Sequence, residues 1–155
     1  MKVIFLDIDG VLNGVDYVKR HGRFGVIVDP ERMQLLRQIV NATGAEIVLI
    51  SSWREHWSSV PDQCDALGLE INRIFREYRL SIYDKTPDRR FKRAEEIQAW
   101  LTDYPTVTAF VILDDMDYPA APLKTHHVLT SDENGGLCEG DACKAIRILS
   151  DRKLQ

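Results

Sequence analysis

The chain has 155 residues, of which 45% are hydrophobic and 28% charged, and its net charge is −4. This length suits one domain spanning 1–155, with enough interior for a sizeable core. The acidic balance argues against general coating of nucleic acid by bulk charge, though not against a local site. No apolar run reaches the roughly 18 residues that a bilayer span needs, so no membrane partner is expected.

Taken in order, residues 2–8 read as a buried strand that runs into Asp7-Ile8-Asp9-Gly10. The chain starts directly in this strand, without the basic, apolar and cleavage regions of a leader. Its cysteines, Cys64, Cys138 and Cys143, are an odd and sparse set that suits reduced thiols. A cytoplasmic location is therefore expected, with no stable protein partner. Gly14 to Gly25 reads as a polar loop carrying Lys19, Arg20, His21 and Arg23. Asp29-Pro30-Glu31 is a helix start, with Asp at the cap and Pro at the first position. Met33, Leu36, Ile39 and Val40 recur at helical spacing, and Gly44 is placed to end the helix.

Ala45 to Ile50 reads as a central strand stopping at Ser51-Ser52-Trp53-Arg54. Beyond it the pattern is weak. Asp62 to Leu67 suggests a short helix ended by Gly68, Ile71 to Phe75 a short strand, and Lys85 to Asp88 a loop. A helix is expected from about Phe91 to Leu101, with Ala94, Ile97, Trp100 and Leu101 on one face. Thr106 to Leu113 is a third buried strand, followed at once by Asp114-Asp115, and His127 to Thr130 a shorter fourth. Asp141 is placed to cap a last helix facing inward through Ala142, Ala145, Ile146 and Leu149. This alternation predicts an α/β fold, Rossmann-like in three layers, with a mostly parallel sheet and helices on both faces.

Three of the strands end in polar residues: Asp7 and Asp9, Ser51 and Ser52, Asp114 and Asp115. Open parallel sheets bind ligands outside the carboxyl ends of their strands, so these residues should converge. Asp7 and Asp9 are two apart in a strand and share a face. Carboxylates gathered this way repel unless a cation stands among them. Oxygen-only ligands favour a hard ion such as Mg²⁺. An Asp carboxylate can also attack phosphorus, and a second one can serve as acid and base. Arg89, Arg90, Lys92 and Arg93 crowd the start of the helix before the third strand, where positive charge opposes the helix dipole. A bound phosphate would account for them.

Other readings of the same residues are weaker. A calcium loop needs a ligand at its fifth position, where Val11 stands, and Gly at its sixth. Cys138 and Cys143, with His126 and His127 near them, match no common zinc spacing. Trp53, Trp57 and Trp100 read as packing residues, with nucleobase stacking the alternative for Trp53 and Trp57.

The strand ending in Asp-x-Asp, the strand ending in Ser, the basic residue and the strand ending in acidic residues together resemble the haloacid dehalogenase superfamily of phosphohydrolases. The wording FLDIDGVLN, IVLISSWR, RAEEIQAWL and VILDD is similar to its HAD domains from RNA-repair proteins. The resemblance implies a small capless phosphatase: residues 14–28 are too few for a folded cap, and 54–91 hold a small lid at most. It further implies Asp7 as nucleophile and Asp9 as general acid and base, with the Asp9 backbone carbonyl a Mg²⁺ ligand. Ser51 would bind the phosphoryl group, with Ser52 the alternative, and the cation would be Arg93 or its neighbour Lys92. Asp115 would ligate Mg²⁺ directly alongside Asp7, with Asp114 as its partner and Asp117 as a substitute. The implied reaction is hydrolysis of a phosphomonoester through an aspartyl-phosphate, the substrate being a nucleotide or a nucleic-acid end among the candidates. A non-catalytic Mg²⁺- and phosphate-binding module, or a phosphotransferase, stays open beside it.

Overall fold

The computed structural model describes residues 1–22, 24–118 and 120–151. Its centre is a five-stranded, all-parallel sheet in the order β3-β2-β1-β4-β5. The strands are β1 (Lys2–Leu6), β2 (Glu46–Leu49), β3 (Ile82–Lys85), β4 (Ala109–Asp114) and β5 (His127–Leu129). The helices are α1 (Val15–His21), α2 (Pro30–Thr43), α3 (Ala66–Glu77), α4 (Arg93–Asp103) and α5 (Glu139–Ser150).

Strand side chains alternate between the faces, so each strand feeds two cores. Ile4, Leu6, Ile47, Leu49, Val111 and Leu113 point to one face and pack under α2, α3 and α5. Val3, Phe5, Val48 and Ile112 point to the other and pack under α4 through Ile97 and Trp100. The chain moves outward from β1 to β3 with α2 and α3 on one face, then returns to β4 with α4 on the opposite face. Crossovers of one hand require that change of face. The direction of travel reverses between β1 and β4, which opens a crevice beyond their carboxyl ends.

The helix starting at Asp29 forms as expected, with Asp29 accepting from the Glu31 amide and Gly44 closing it at φ 66°. Other boundaries differ. The segment after Gly14 is a helix, not a loop, although α1 has no buried residue and so no apolar stripe to reveal it. Asp16 in its first turn and Lys19, Arg20 and His21 in its last suit the helix dipole. Arg23 lies outside the described residues.

The segment 54–91 supplies α3 and the edge strand β3, not a lid. Gly68 lies inside α3 rather than after a helix, and Ile71 to Phe75 are helical, with Ile71, Ile74 and Phe75 buried. A β-carbon at Gly68 would stand 2.0 Å from the His56 carbonyl oxygen. The glycine allows close packing there; it does not stop the helix. Lys85 ends β3 instead of opening a loop. The fourth helix starts at Arg93, because Arg90 and Phe91 have φ of 59° and 64°, outside right-handed helical geometry. Asp141 is the third residue of α5 and not its cap; its Oδ2 accepts from the Cys138 amide at 3.1 Å.

Candidate active site

Parallel pairing brings the ends of β1, β2 and β4 side by side. The Asp7 amide donates to the Leu113 carbonyl, and the Ile50 amide to the Leu6 carbonyl, both at 3.0 Å. Asp7 therefore comes directly after the central strand, and Asp114 closes its neighbour. Both are buried, at 4% and 0% exposure. One oxygen each of Asp7, Asp114 and Asp115 lies within 4.8 Å of the others.

Gly10 makes this gathering possible. It turns the chain at φ 78°, and a β-carbon there would come within 2.4 Å of the Asp115 carboxyl. The Thr130 hydroxyl donates to the Gly10 carbonyl at 2.7 Å and the Thr130 amide to the Asp114 carbonyl at 3.0 Å, tying both acidic loops to the end of β5.

Arg93 projects from the first turn of α4 into the carboxylates. Its Nη1 donates to Asp7 Oδ2 at 2.7 Å and to Asp114 Oδ2 at 2.5 Å. Lys92 is not brought there; its Nζ pairs with Glu95 at the surface. Burial works against the Arg93 charge, but Asp7 and Asp114 outweigh it and push its pKa up. On balance the Asp7 pKa is raised to about 6: burial pushes it up most strongly, Arg93 pulls it down, and Asp114 pushes it up. The Asp115 pKa is raised too, by burial and then by Asp114.

The donor set fits a hard divalent cation. Three carboxylates face one guanidinium, which leaves an excess of negative charge, and all the ligand atoms are oxygens. Asp117 is exposed and stands outside the three-carboxylate group.

Asp9 occupies a different environment from Asp7. Its carboxylate lies outside the metal-type cluster and accepts from Trp53 Nε1 and Asn13 Nδ2. Ser51 is 1% exposed, and its Oγ accepts from the Trp53 amide at 3.3 Å, capping the 3₁₀ turn at Ser52–Glu55. Ser52 lines the cavity. That cavity, about 410 Å³, is lined by Asp7, Asp9, Ser52, Arg93 and Asp115. Val15, Val18 and Lys19 of α1, with Met116 and Asp132, also line it.

Sequence reasoning assigns no role to Asn13 or Thr130. Asn13 stands inside the DIDGVLN stretch, but its role depends on a bond to the Ile27 carbonyl that no local pattern announces.

An all-parallel α/β sheet with acidic residues gathered at the ends of β1 and β4 defines a haloacid dehalogenase-like domain, of the hydrolase superfamily. More narrowly, residues 3–142 match the family described as the HAD domain in Swiss Army Knife RNA repair proteins, and the chain belongs to that family. No curated protein and no solved structure matches it.

Proposed function

We propose that this domain is a Mg²⁺-dependent phosphomonoesterase that works through a phosphorylated Asp7. The observation that carries the reading is the Arg93 fork: one guanidinium nitrogen on both Asp7 and Asp114, beside three convergent carboxylates. A guanidinium there orients the nucleophile and can meet phosphoryl oxygens. Asp7, Asp114 and Asp115 would hold Mg²⁺, which would supply the charge that draws a phosphate dianion toward a carboxylate.

An oxygen of Asp7 attacks phosphorus, and the bond from phosphorus to the leaving oxygen breaks. That oxygen takes the electron pair and a proton from the Asp9 carboxyl. Water then attacks the phosphorylated Asp7 while the Asp9 carboxylate takes its proton; phosphate departs and both carboxyl groups return to their starting forms. Ser52, which lines the cavity, would bind a phosphoryl oxygen. Ser51 Oγ accepts from Trp53 and retains its own proton to donate. The family description, RNA repair, supports a nucleotide or nucleic-acid end as substrate.

The test is phosphate release from a panel of nucleotides, sugar phosphates, phosphopeptides and 3′- or 5′-phosphorylated oligonucleotides. It compares wild type with Asp7→Asn, with Mg²⁺ and with EDTA. The expected outcome is Mg²⁺-dependent release by the wild type alone. Activity without a divalent ion, or undiminished in Asp7→Asn, overturns the reading.

A further inference from the structure

Asp9 is exposed yet firmly held. Its Oδ2 accepts from the Trp53 indole Nε1–H at 2.9 Å, and its Oδ1 from the Asn13 amide at 3.0 Å. An exposed Asp otherwise samples several rotamers. Here both oxygens are engaged, by groups that are themselves fixed. Asn13 is buried; it donates to the Ile27 carbonyl at 2.7 Å and accepts from the Gly10 amide at 3.0 Å. Trp53 stands in the 3₁₀ turn after β2, with its amide on Ser51 Oγ. The next residue, Arg54, anchors that turn from below through a buried pair with Glu96 of α4 and a bond to the Ile50 carbonyl.

The chemistry of the two partners matters as much as their positions. An indole N–H donates and cannot accept, and the Asn13 atom used here is likewise a donor. Neither can take a proton from Asp9. A proton on this carboxyl must therefore occupy a lone pair that both neighbours leave free. Asp9 also lines the cavity in which a leaving group would sit.

We infer that Trp53 is a positioning residue for the reaction: its indole N–H holds the Asp9 carboxyl so that the proton is presented to the leaving-group oxygen. The inference rests on the phosphomonoesterase reading above. Trp53 does not line the cavity where a leaving group would sit; it acts through Asp9. Its contribution should appear where the leaving group needs a proton and vanish where it does not.

The experiment compares kcat/KM of wild type and Trp53→Phe on two esters, p-nitrophenyl phosphate and the best alkyl phosphate of the panel. With a phospho-enzyme, kcat/KM reports events up to departure of the leaving group. Nitrophenolate leaves unprotonated, whereas an alkoxide needs Asp9. General acid catalysis is worth about 10²–10⁴-fold, so mispositioning should cost about tenfold on the alkyl ester and less than about twofold on the aryl ester. In an Asp9→Asn background, Trp53→Phe should change neither rate, as for two residues acting as one unit. Equal losses on both esters, or none, overturn the inference, as does an undiminished Trp53→Phe effect without Asp9. Should Trp53→Phe fail to fold, replacing Trp53 with 3-benzothienylalanine removes the N–H and keeps the bicyclic shape for the same measurement. A wild type inactive on the whole panel defeats the phosphomonoesterase reading and this inference with it; an active wild type with an unchanged alkyl-to-aryl ratio defeats this inference alone.

Discussion

As the proposed nucleophile, Asp7 carries two opposed demands. A nucleophile must be ionised, but burial raises the pKa of its carboxyl from 3.8 to about 6. A carboxyl with a raised folded-state pKa binds its proton more tightly in the fold than in the unfolded chain. Its ionisation therefore costs stability: the cost is absent below about pH 4, grows as pH rises, and is complete above about pH 6. A shift of this size corresponds to roughly 2–3 kcal/mol. Asp7→Asn should abolish turnover and, in EDTA at pH 8, unfold at a higher temperature than wild type. Thermal melts from pH 4 to pH 8 should show the wild type losing stability relative to the variant. The two serines separate in the same kind of measurement. Ser51→Ala removes a cap worth about 1 kcal/mol and a candidate phosphate donor, so it should lower Tm and raise KM. Ser52→Ala should raise KM and leave Tm unchanged, because Ser52 is exposed at the cavity wall.

The elements around the site are joined by polar contacts that an apolar pattern does not contain. The turn after β2 is tied to α4 by Arg54 and Glu96, both buried, at 2.9 Å, with Glu96 also accepting from the Arg89 amide. Lys85 at the end of β3 donates to the Arg54 and Trp57 carbonyls of the same turn. Arg54→Ala strands a buried carboxylate, and removal of one partner from such a pair costs about 3–5 kcal/mol. Urea denaturation should place Arg54→Ala well below wild type, with Arg73→Ala almost coincident with it. Arg73 pairs with Glu77 at the exposed surface, where a pair is worth about 0–1 kcal/mol. Edge strand β3 lacks a legible apolar pattern for a related reason. Its Asp84 points to Trp100 Nε1 and the Tyr104 hydroxyl, so a charge stands where a strand pattern calls for an apolar residue.

Across the whole molecule, the fold concentrates negative charge at one end of the sheet. A divalent cation that binds the folded site alone stabilises by mass action, about 2.7 kcal/mol at a hundredfold excess over Kd. Mg²⁺ should therefore raise the wild-type Tm by several degrees. The shift should shrink sharply in Asp115→Asn, which loses a charged oxygen from the cluster but leaves the buried Asp7–Arg93–Asp114 contacts intact. Differential scanning fluorimetry with a Mg²⁺ titration measures both.

Asp-x-Asp-Gly after a buried strand, two serines after the next and paired aspartates after another are enough to anticipate a parallel α/β sheet with its polar chemistry at one end. Those signals are local: strands buried on both faces are apolar runs, and the polar residues at their ends are immediate neighbours in sequence. Three things are settled only by the tertiary structure. Arg93 and not Lys92 reaches the carboxylates, because the helix start places adjacent residues in different directions around its axis. Gly68 belongs inside a helix, because a neighbouring carbonyl fills the space of its side chain. Trp53 meets Asp9 across 44 positions of chain, because parallel pairing of β1 and β2 sets their carboxyl ends side by side. Each depends on direction and proximity between distant residues, which spacing along the chain does not contain. The N-terminal pair of aspartates thus emerges as two unlike groups: Asp7 buried on a guanidinium beside Asp114 and Asp115, Asp9 exposed and held by an indole and an amide.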